Sequence, residues 1–563
     1  MSVSSPVINR LEILKKVDWL SVLMITLAFF LLLILVGIPL LMILLRSFAP
    51  DGTWEWLAPL ETMRDRDLGE VFLNSFILGI LVVIGSTLLA SPMAFLMAKT
   101  NMGRNSWIDV VLLIPFMTPP YINSMGWILF VQPRGYFEQF FPFLGSLGNE
   151  LFFSLFGMVL VMSLNLFPFI YLVLRNTLTQ ISGSLEDAGA ILGGSFLYRL
   201  RRIILPLSIS GYTLGALLIF VNTIAEFGTP ATLGRRIGFY VLTTEIHRLT
   251  SNWPIDFGRA AALSSILLGT SLVVWYVQSF ISNRYAHATV GTRGRSANQI
   301  VLGKWQWLAW GYLIALVLLS VGVPYFSIAS TSLMQLWGSG LQWNNLTLAH
   351  YAEILTIGSS GFQSLMNSLQ LSLSAATLAM TIGTLMAVLI VRSQGWVKNI
   401  IDALSLVSNT IPSIVMIVGL ILFWNARWLP ATAYNTWWML VITYVVLFLP
   451  YTVQYVKGNL EQLDSSLFEA AYLSGANRFY IFYRIIFPLA IPGMIAGWMM
   501  TFIISIRELV GSLIIRPPGL QTTATFIFGQ FEQGSASVGM AMAMCSVFLT
   551  TVILISVNQF RKI

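Results

Sequence analysis

Between Leu20 and Leu45 the chain carries no charged residue, a run longer than the roughly 20 apolar residues that cross about 30 Å of hydrocarbon as a helix. It is the first of many. Long apolar runs begin near residues 20, 71, 110, 151, 203, 260, 305, 361, 403, 432, 485 and 536, separated by charged or Pro/Gly-containing loops. Backbone amides facing lipid find no water, so each run must close its hydrogen bonds internally as a helix. The expectation is an all-α membrane protein with about twelve transmembrane helices. Composition agrees, with 10 % charged residues against roughly 25 % in soluble domains. The first run is too long for the apolar core of a cleavable signal and has no small-residue cleavage site, so the N-terminus is expected to be retained.

Several function classes fall away at this stage. Cys545 is the only cysteine, so an intrachain disulfide is excluded. The net charge of +8 is spread over short loops and forms no continuous patch, which argues against a nucleic-acid partner. No nucleophile–base constellation or metal-spaced His/Asp/Glu cluster marks a membrane enzyme; His247, His287 and His350 sit apart in expected loops. The basic residues read as topology signals. With a cytoplasmic N-terminus, the inner loops collect Lys15, Lys16, Lys99, Arg104, Arg199, Arg201, Arg202, Arg293, Arg295, Lys398, Lys457 and Lys562, while the first outer loop is acidic (Asp51, Glu55, Glu61, Asp65, Asp67, Glu70). Both termini are then cytoplasmic. The loop with Arg235, Arg236, Arg248 and Arg259 fits that rule poorly, and its length weakens the rule there.

The chain repeats itself. Pro168-Phe169-Ile170-Tyr171 through Leu205-Pro206 aligns without a gap on Pro450-Tyr451-Thr452-Val453 through Phe487-Pro488, at a constant offset of 282 (450 − 168 and 488 − 206). Asn74-Ser75 and Asn367-Ser368 match at 293 (367 − 74), so the first half holds 11 extra residues (293 − 282), which the loop around Gln132–Asn149 can take. Pro119 and Pro412 recur as well, as candidates for helix ends or kinks. The expected organisation is a cytoplasmic segment 1–18, a six-helix bundle 19–282, a cytoplasmic linker 283–304 and a second six-helix bundle 305–563. An even number of spans per repeat leaves the halves in the same orientation, related by a pseudo-twofold axis along the membrane normal with the pathway between them.

In the loop before the eleventh run the sequence reads Glu469-Ala470-Ala471, then Gly475, then Ile485-Ile486-Phe487-Pro488; the first half reads Asp187-Ala188-Gly189, Gly193 and Ile203-Ile204-Leu205-Pro206 at the same spacing. Small residues on a short helix permit close docking, the glycine turns the chain, and proline suits the first turn of the following helix. A basic amphipathic loop lying on the lipid surface is the other reading of such a segment. The duplicated pattern resembles the EAA loop of ABC importer permeases, which implies two tandem type I permease bundles and two separate ATPase subunits docking on these loops. No G-x-x-x-x-G-K-[ST] phosphate loop occurs, so ATP and Mg belong to those partners and no cofactor is expected on this chain. The resemblance further implies an extracytoplasmic substrate-binding protein, a bacterial inner-membrane location, and alternating access driven by ATP.

Within that class the chain is similar to fused permeases of the ferric-iron importer family, through Ala225-Glu226-Phe227-Gly228-Thr229-Pro230 and Ile506-Arg507-Glu508-Leu509 leading to Arg516-Pro517-Pro518-Gly519. Thiamine and aminoalkylphosphonate importers share the layout and remain alternatives. Glu226 and Glu508 are repeat equivalents (508 − 226 = 282), each some 20 residues, or about 30 Å of helix, beyond Pro206 or Pro488. A hard cation prefers oxygen ligands, so both are candidates for transient cation contacts or a gate, with Arg507, Asn74 and Asn367 as candidate neighbours; no firm metal site is read. The opposing reading is that each glutamate ends its span and bonds its own loop. An ion-coupled secondary transporter is the rival class, and the scarcity of mid-span charge speaks against it.

Overall fold

The computed structural model describes residues 19–50, 52–286, 299–393, 395–476 and 478–560. The N-terminal segment 1–18, Asp51, His287, Arg293 and Arg295 of the linker, and Lys562 lie outside the described residues, and so does the side chain of Glu469. Among the described residues the secondary structure is helical, apart from two isolated bridges, Thr100 with Ile300 and Met334 with Leu346. Ten helices among them are long and apolar enough to cross a membrane: Leu23–Phe48, Arg66–Lys99, Leu155–Gln180, Phe196–Ala225, Phe257–Ser282, Gly303–Ser332, Ser360–Arg392, Trp437–Leu460, Phe482–Ile506 and Ala536–Ile553.

The third apolar run of each half departs from the expected single span. It is broken into Trp107–Met117 and Pro120–Val131 in the first half, and Trp396–Thr410 and Ser413–Trp424 in the second. The breaks fall at Thr118-Pro119 and Ile411-Pro412, where Thr118 is extended (ψ 128°) and Pro119 and Pro412 have ψ of 131° and 135°. A proline pushes the residue before it out of the α region and offers no N–H to continue the ladder. Hydropathy cannot register this, because both pieces are apolar.

Four other prolines leave their helices continuous but widen one turn. Leu33–Gly37, Leu200–Ile204, Leu318–Gly322 and Phe482–Ile486 are π-turns, and each is followed by one residue and then a proline: Pro39, Pro206, Pro324 and Pro488. The proline ring would clash with the carbonyl four residues back, and shifting the preceding bonds to i→i−5 relieves that clash within an unbroken helix. The first-half insertion forms two short helices, Tyr136–Phe140 and Gly145–Phe152, where the second half runs from 425 to 436 without a helix.

Contacts divide the chain into two compact units that do not follow the sequence repeat. One comprises Met1–Leu41, Ser372–Asn409 and Val441–Ser505; the other comprises Met42–Leu371, Thr410–Leu440 and Ile506–Ile563. In the first unit, Ala28 and Leu32 of the opening span are buried in a core of second-half residues that includes Met386, Ile390, Ile401 and Val453. In the other unit the exchange runs the opposite way. The first span of the second half packs on first-half helices: Trp310 stacks on Trp107 at 6.0 Å, Tyr312 donates to the Leu89 carbonyl at 2.7 Å, and a Cβ on Gly126 would come within 2.8 Å of Pro324. Gly126 thus permits backbone-close helix packing.

Candidate functional site

The two EAA-like segments fold alike. Asp187, Ala188 and Gly189 lie on the loop helix Gly183–Ile191, and Ala470 and Ala471 on the loop helix Ser465–Leu473, which also includes position 469. Their N-termini are capped at equivalent positions: Ser182 Oγ accepts from the Ser184 N–H at 3.3 Å and Asp464 Oδ1 from the Ser466 N–H at 2.9 Å. That backbone N–H holds the Asp464 carboxyl below its usual range. Both helices end in a left-handed glycine, Gly193 and Gly475, each at φ 79°. The following N–H reaches back over the turn, from Gly194 to the Gly189 carbonyl at 2.9 Å and from Ala476 to the Ala471 carbonyl at 3.0 Å, the geometry of a Schellman ending.

Small residues allow this tight fold. A Cβ on Gly189 would meet Ile203 at 2.8 Å, and Ala471 is buried in a cluster with Ile481 and Ile486. The outward faces are apolar in a way the motif alone does not announce. Ile191 is 85 % exposed and its repeat equivalent Leu473 is 90 % exposed, with Leu185 and Leu467 exposed earlier on the same helices. Large apolar side chains exposed at the end of both loop helices are candidates for a contact surface. The signal for them was available, since both pairs keep the 282-residue offset (473 − 191 and 467 − 185). Lys99, buried at the end of Arg66–Lys99, anchors the first loop helix through Glu186 at 2.5 Å.

On the helices that precede the loop helices, Leu155–Gln180 and Trp437–Leu460, stand the bases of two ion pairs that the sequence reading missed. Arg175 Nη1 sits 2.9 Å from Asp109 Oδ1 and Lys457 Nζ 2.7 Å from Asp402 Oδ2. Each base precedes its loop helix by eight residues (183 − 175 and 465 − 457), and the acids match at the 293 offset (402 − 109). Tyr171 also donates to Asp109.

Glu226 and Glu508 fall in one compact unit, and both carboxylates accept from the backbone of the turn that follows. Glu226 takes the Thr229 N–H at 3.0 Å, and Glu508 takes Gly511 and Ser512 at 3.0 and 3.2 Å. These bonds satisfy N–H groups left free as a new helical turn begins. Arg507 donates to the Met117 carbonyl, which ties the Glu508 corner to the broken third run. On the other side, Gly228 lies against Tyr121 just past the break, where a Cβ would come 2.7 Å from Tyr121 Cβ and 3.0 Å from Glu226 Oε1. Asn74 and Asn367 are matching clamps. Asn74 donates to the Tyr240 carbonyl at 3.2 Å and Ser75 accepts from the Leu242 N–H at 2.8 Å; Asn367 donates to the Gln521 carbonyl at 2.9 Å and Ser368 accepts from the Thr523 N–H at 2.7 Å. Each Asn-Ser pair thus seats the start of a helix farther along from a glutamate corner, Leu242–Ser251 or Thr523–Gln533. His247 and His350 stand on helices rather than in loops, His247 against the Phe227 ring at 5.1 Å. Among the described residues no group of three or more His, Cys, Asp or Glu is placed to hold a metal ion.

Comparison with known proteins agrees with the duplication. The binding-protein-dependent transport system inner membrane component family matches twice, over residues 90–287 and 379–562. The chain is 24 % identical over 512 residues to the Fe(3+)-transport system permease protein FbpB 2 of Haemophilus influenzae, covering 88 % of this chain and 91 % of the relative. It is 26 % identical over 503 residues to the ferric transport system permease protein FbpB of Actinobacillus pleuropneumoniae, covering 87 % and 71 %. The spermidine/putrescine transport system permease protein PotC of Escherichia coli is 28 % identical over 217 residues, covering 38 % of this chain and 80 % of the relative. With two family domains over most of its length, and with multiple apolar spans, the chain belongs to the binding-protein-dependent transport system inner membrane components.

Proposed function

We propose that this chain is the permease of an ATP-driven importer for ferric iron, taking its cargo from an extracytoplasmic binding protein and using two separate ATPase subunits. The observation that carries the substrate is similarity over 88 % and 87 % of this chain to two permeases named for ferric transport; the polyamine permease aligns with less than half of this chain. What supports the energy coupling is the pair of loop helices, with equivalent caps, the same glycine φ of 79° and exposed Ile191 and Leu473 at equivalent tips. Such an apolar knob can seat in a cleft of a partner and anchor it there. ATP and Mg act on the partners, both termini face the cytoplasm, and the permease itself performs no chemistry.

In this reading ATP-driven closure of the two ATPases draws the loop helices together and opens the pathway outward, and hydrolysis resets it. Glu226 and Glu508 are held by backbone N–H bonds, so a passing cation meets carboxylates whose orientation is already fixed. The test is uptake of radiolabelled ferric iron into proteoliposomes holding the chain, its ATPase and its binding protein, with thiamine, aminoalkylphosphonate and spermidine in parallel. ATP-dependent iron uptake is expected. Uptake of another substrate instead would retain the permease and replace the iron assignment, and transport without an ATPase would overturn the class.

A further inference from the structure

We infer that Asp109–Arg175 and Asp402–Lys457 are positioning pairs that make the broken third span of each half follow its loop helix. The inference rests on the importer reading above and adds a mechanical role to residues outside the motif. The first support is energetic. The four side chains are only 18 to 24 % exposed, and a partly desolvated ion pair gives little net stability, often less than an apolar pair of the same volume. Holding such a pair at the same place in both halves, once with arginine and once with lysine, is poorly explained by stability alone.

The second support is geometric and is complete within one compact unit for the first half. The loop helix Gly183–Ile191 follows Leu155–Gln180 after two residues, and Glu186 is fixed to Lys99. Arg175 is five residues before Gln180, or about 7.5 Å of helix. It grips Asp109 in the first turn of Trp107–Met117. The last residue of that short helix, Met117, offers its carbonyl to Arg507, the neighbour of Glu508. Loop helix, long helix, ion pair, short helix and glutamate corner are therefore linked by packed helix and charge-assisted bonds, with no flexible segment longer than two residues. Tyr171 adds a second bond to Asp109, which fixes the carboxylate against rotation. In the second half, Lys457 and Asp402 join Trp437–Leu460 to Trp396–Thr410 in the same relation to the loop helix Ser465–Leu473.

The readout is ATP hydrolysed per iron taken up by the full complex in proteoliposomes. Replacing each pair by apolar residues, Asp109→Leu with Arg175→Met and Asp402→Leu with Lys457→Met, keeps the volume and leaves no unpaired charge. These variants are expected to assemble and to raise the ratio about tenfold, while Lys457→Arg stays within about twofold of wild type. Asp109→Asn alone, which keeps the shape, should raise it as well. A ratio equal to wild type in assembled apolar variants would overturn the inference, whatever happens to thermal stability. Loss of assembly in both apolar variants would also overturn it, because the pairs would then be structural. Absence of ATP-dependent uptake by wild type would instead sink the importer reading on which the inference stands.

Discussion

At the scale of single residues, the two glycines that end the loop helices are the most open to test. Both Gly193 and Gly475 have φ of 79° with no atom near a Cβ position, so a side chain there meets no clash and the cost is purely conformational. A left-handed residue with a Cβ costs about 1–2 kcal/mol, more if β-branched. Gly475→Val is therefore expected to tilt or fray the helix end without disturbing the spans. The check is to purify the variant with its ATPase: the membrane chain should be recovered at wild-type yield, with ATPase co-purification reduced several-fold. The glutamates make a different prediction. Glu508 accepts two backbone N–H groups, and losing a capping acceptor costs about 1 kcal/mol. Glu508→Ala should lower the melting temperature, whereas Glu508→Gln keeps an acceptor and should lose much less; iron uptake that falls equally in both would place the charge itself on the cation path. The pattern of these residues was readable in the sequence through the constant offset. For the glutamates, the bond to their own loop stood in the sequence only as the opposing reading, and it is the geometry found; a capping bond to a neighbour three residues on leaves no periodic trace that would name the exact partner.

At the scale of elements, periodicity found the ten spans but treated the third run of each half as whole. Hydropathy counts apolar residues and is blind to a single missing N–H, although Pro119 and Pro412 were visible as repeat equivalents. The ion pairs escaped for a related reason: Asp109 and Asp402 are isolated acids at the starts of apolar runs, and only the register of two helices shows that Arg175 and Lys457 face them. The loop helices were found, yet their exposed apolar residues were not singled out. Ile191 and Leu473 stand almost fully exposed, and under the proposed docking a partner pocket covers their apolar surface. Truncating a central apolar anchor at an interface typically costs about 2 kcal/mol, or some thirtyfold in affinity. Leu473→Asp should exceed that and abolish transport-linked hydrolysis, measured as binding-protein-stimulated ATPase activity. The fold of the loop should survive the change, because the inner face of the helix, where Ala471 packs, is untouched.

At the scale of the whole molecule, the sequence repeat and the contact units disagree, and the disagreement has a physical cause. Each half lends its first span to helices of the other: Ala28 and Leu32 are buried in one core with Met386 and Ile390, and Ala309, Leu313 and Leu316 are buried in a core that includes first-half residues such as Ala90, Met93 and Ile108. A repeat found by alignment says which residues correspond, whereas burial is decided by which faces meet, and nothing in the linear pattern distinguishes a span packed on its own half from one packed on its sibling. The exchange makes the linker covalently dispensable but the halves mutually necessary. Cutting the chain between residues 287 and 298 and expressing the pieces together should therefore give a complex that co-purifies and transports, because the crossed spans already hold the pieces. Either piece alone would leave apolar residues such as Leu32 or Leu313 without the neighbours that bury them and the Tyr312 bond to Leu89 unmade, and should accumulate poorly and be degraded. Removing residues 19–48 from the first piece discriminates further: if co-purification survives that deletion at full yield, the opening span is not needed to hold the halves together, and the remaining contacts between them, among them Trp310 with Trp107, Tyr312 with Leu89 and Arg507 with Met117, suffice.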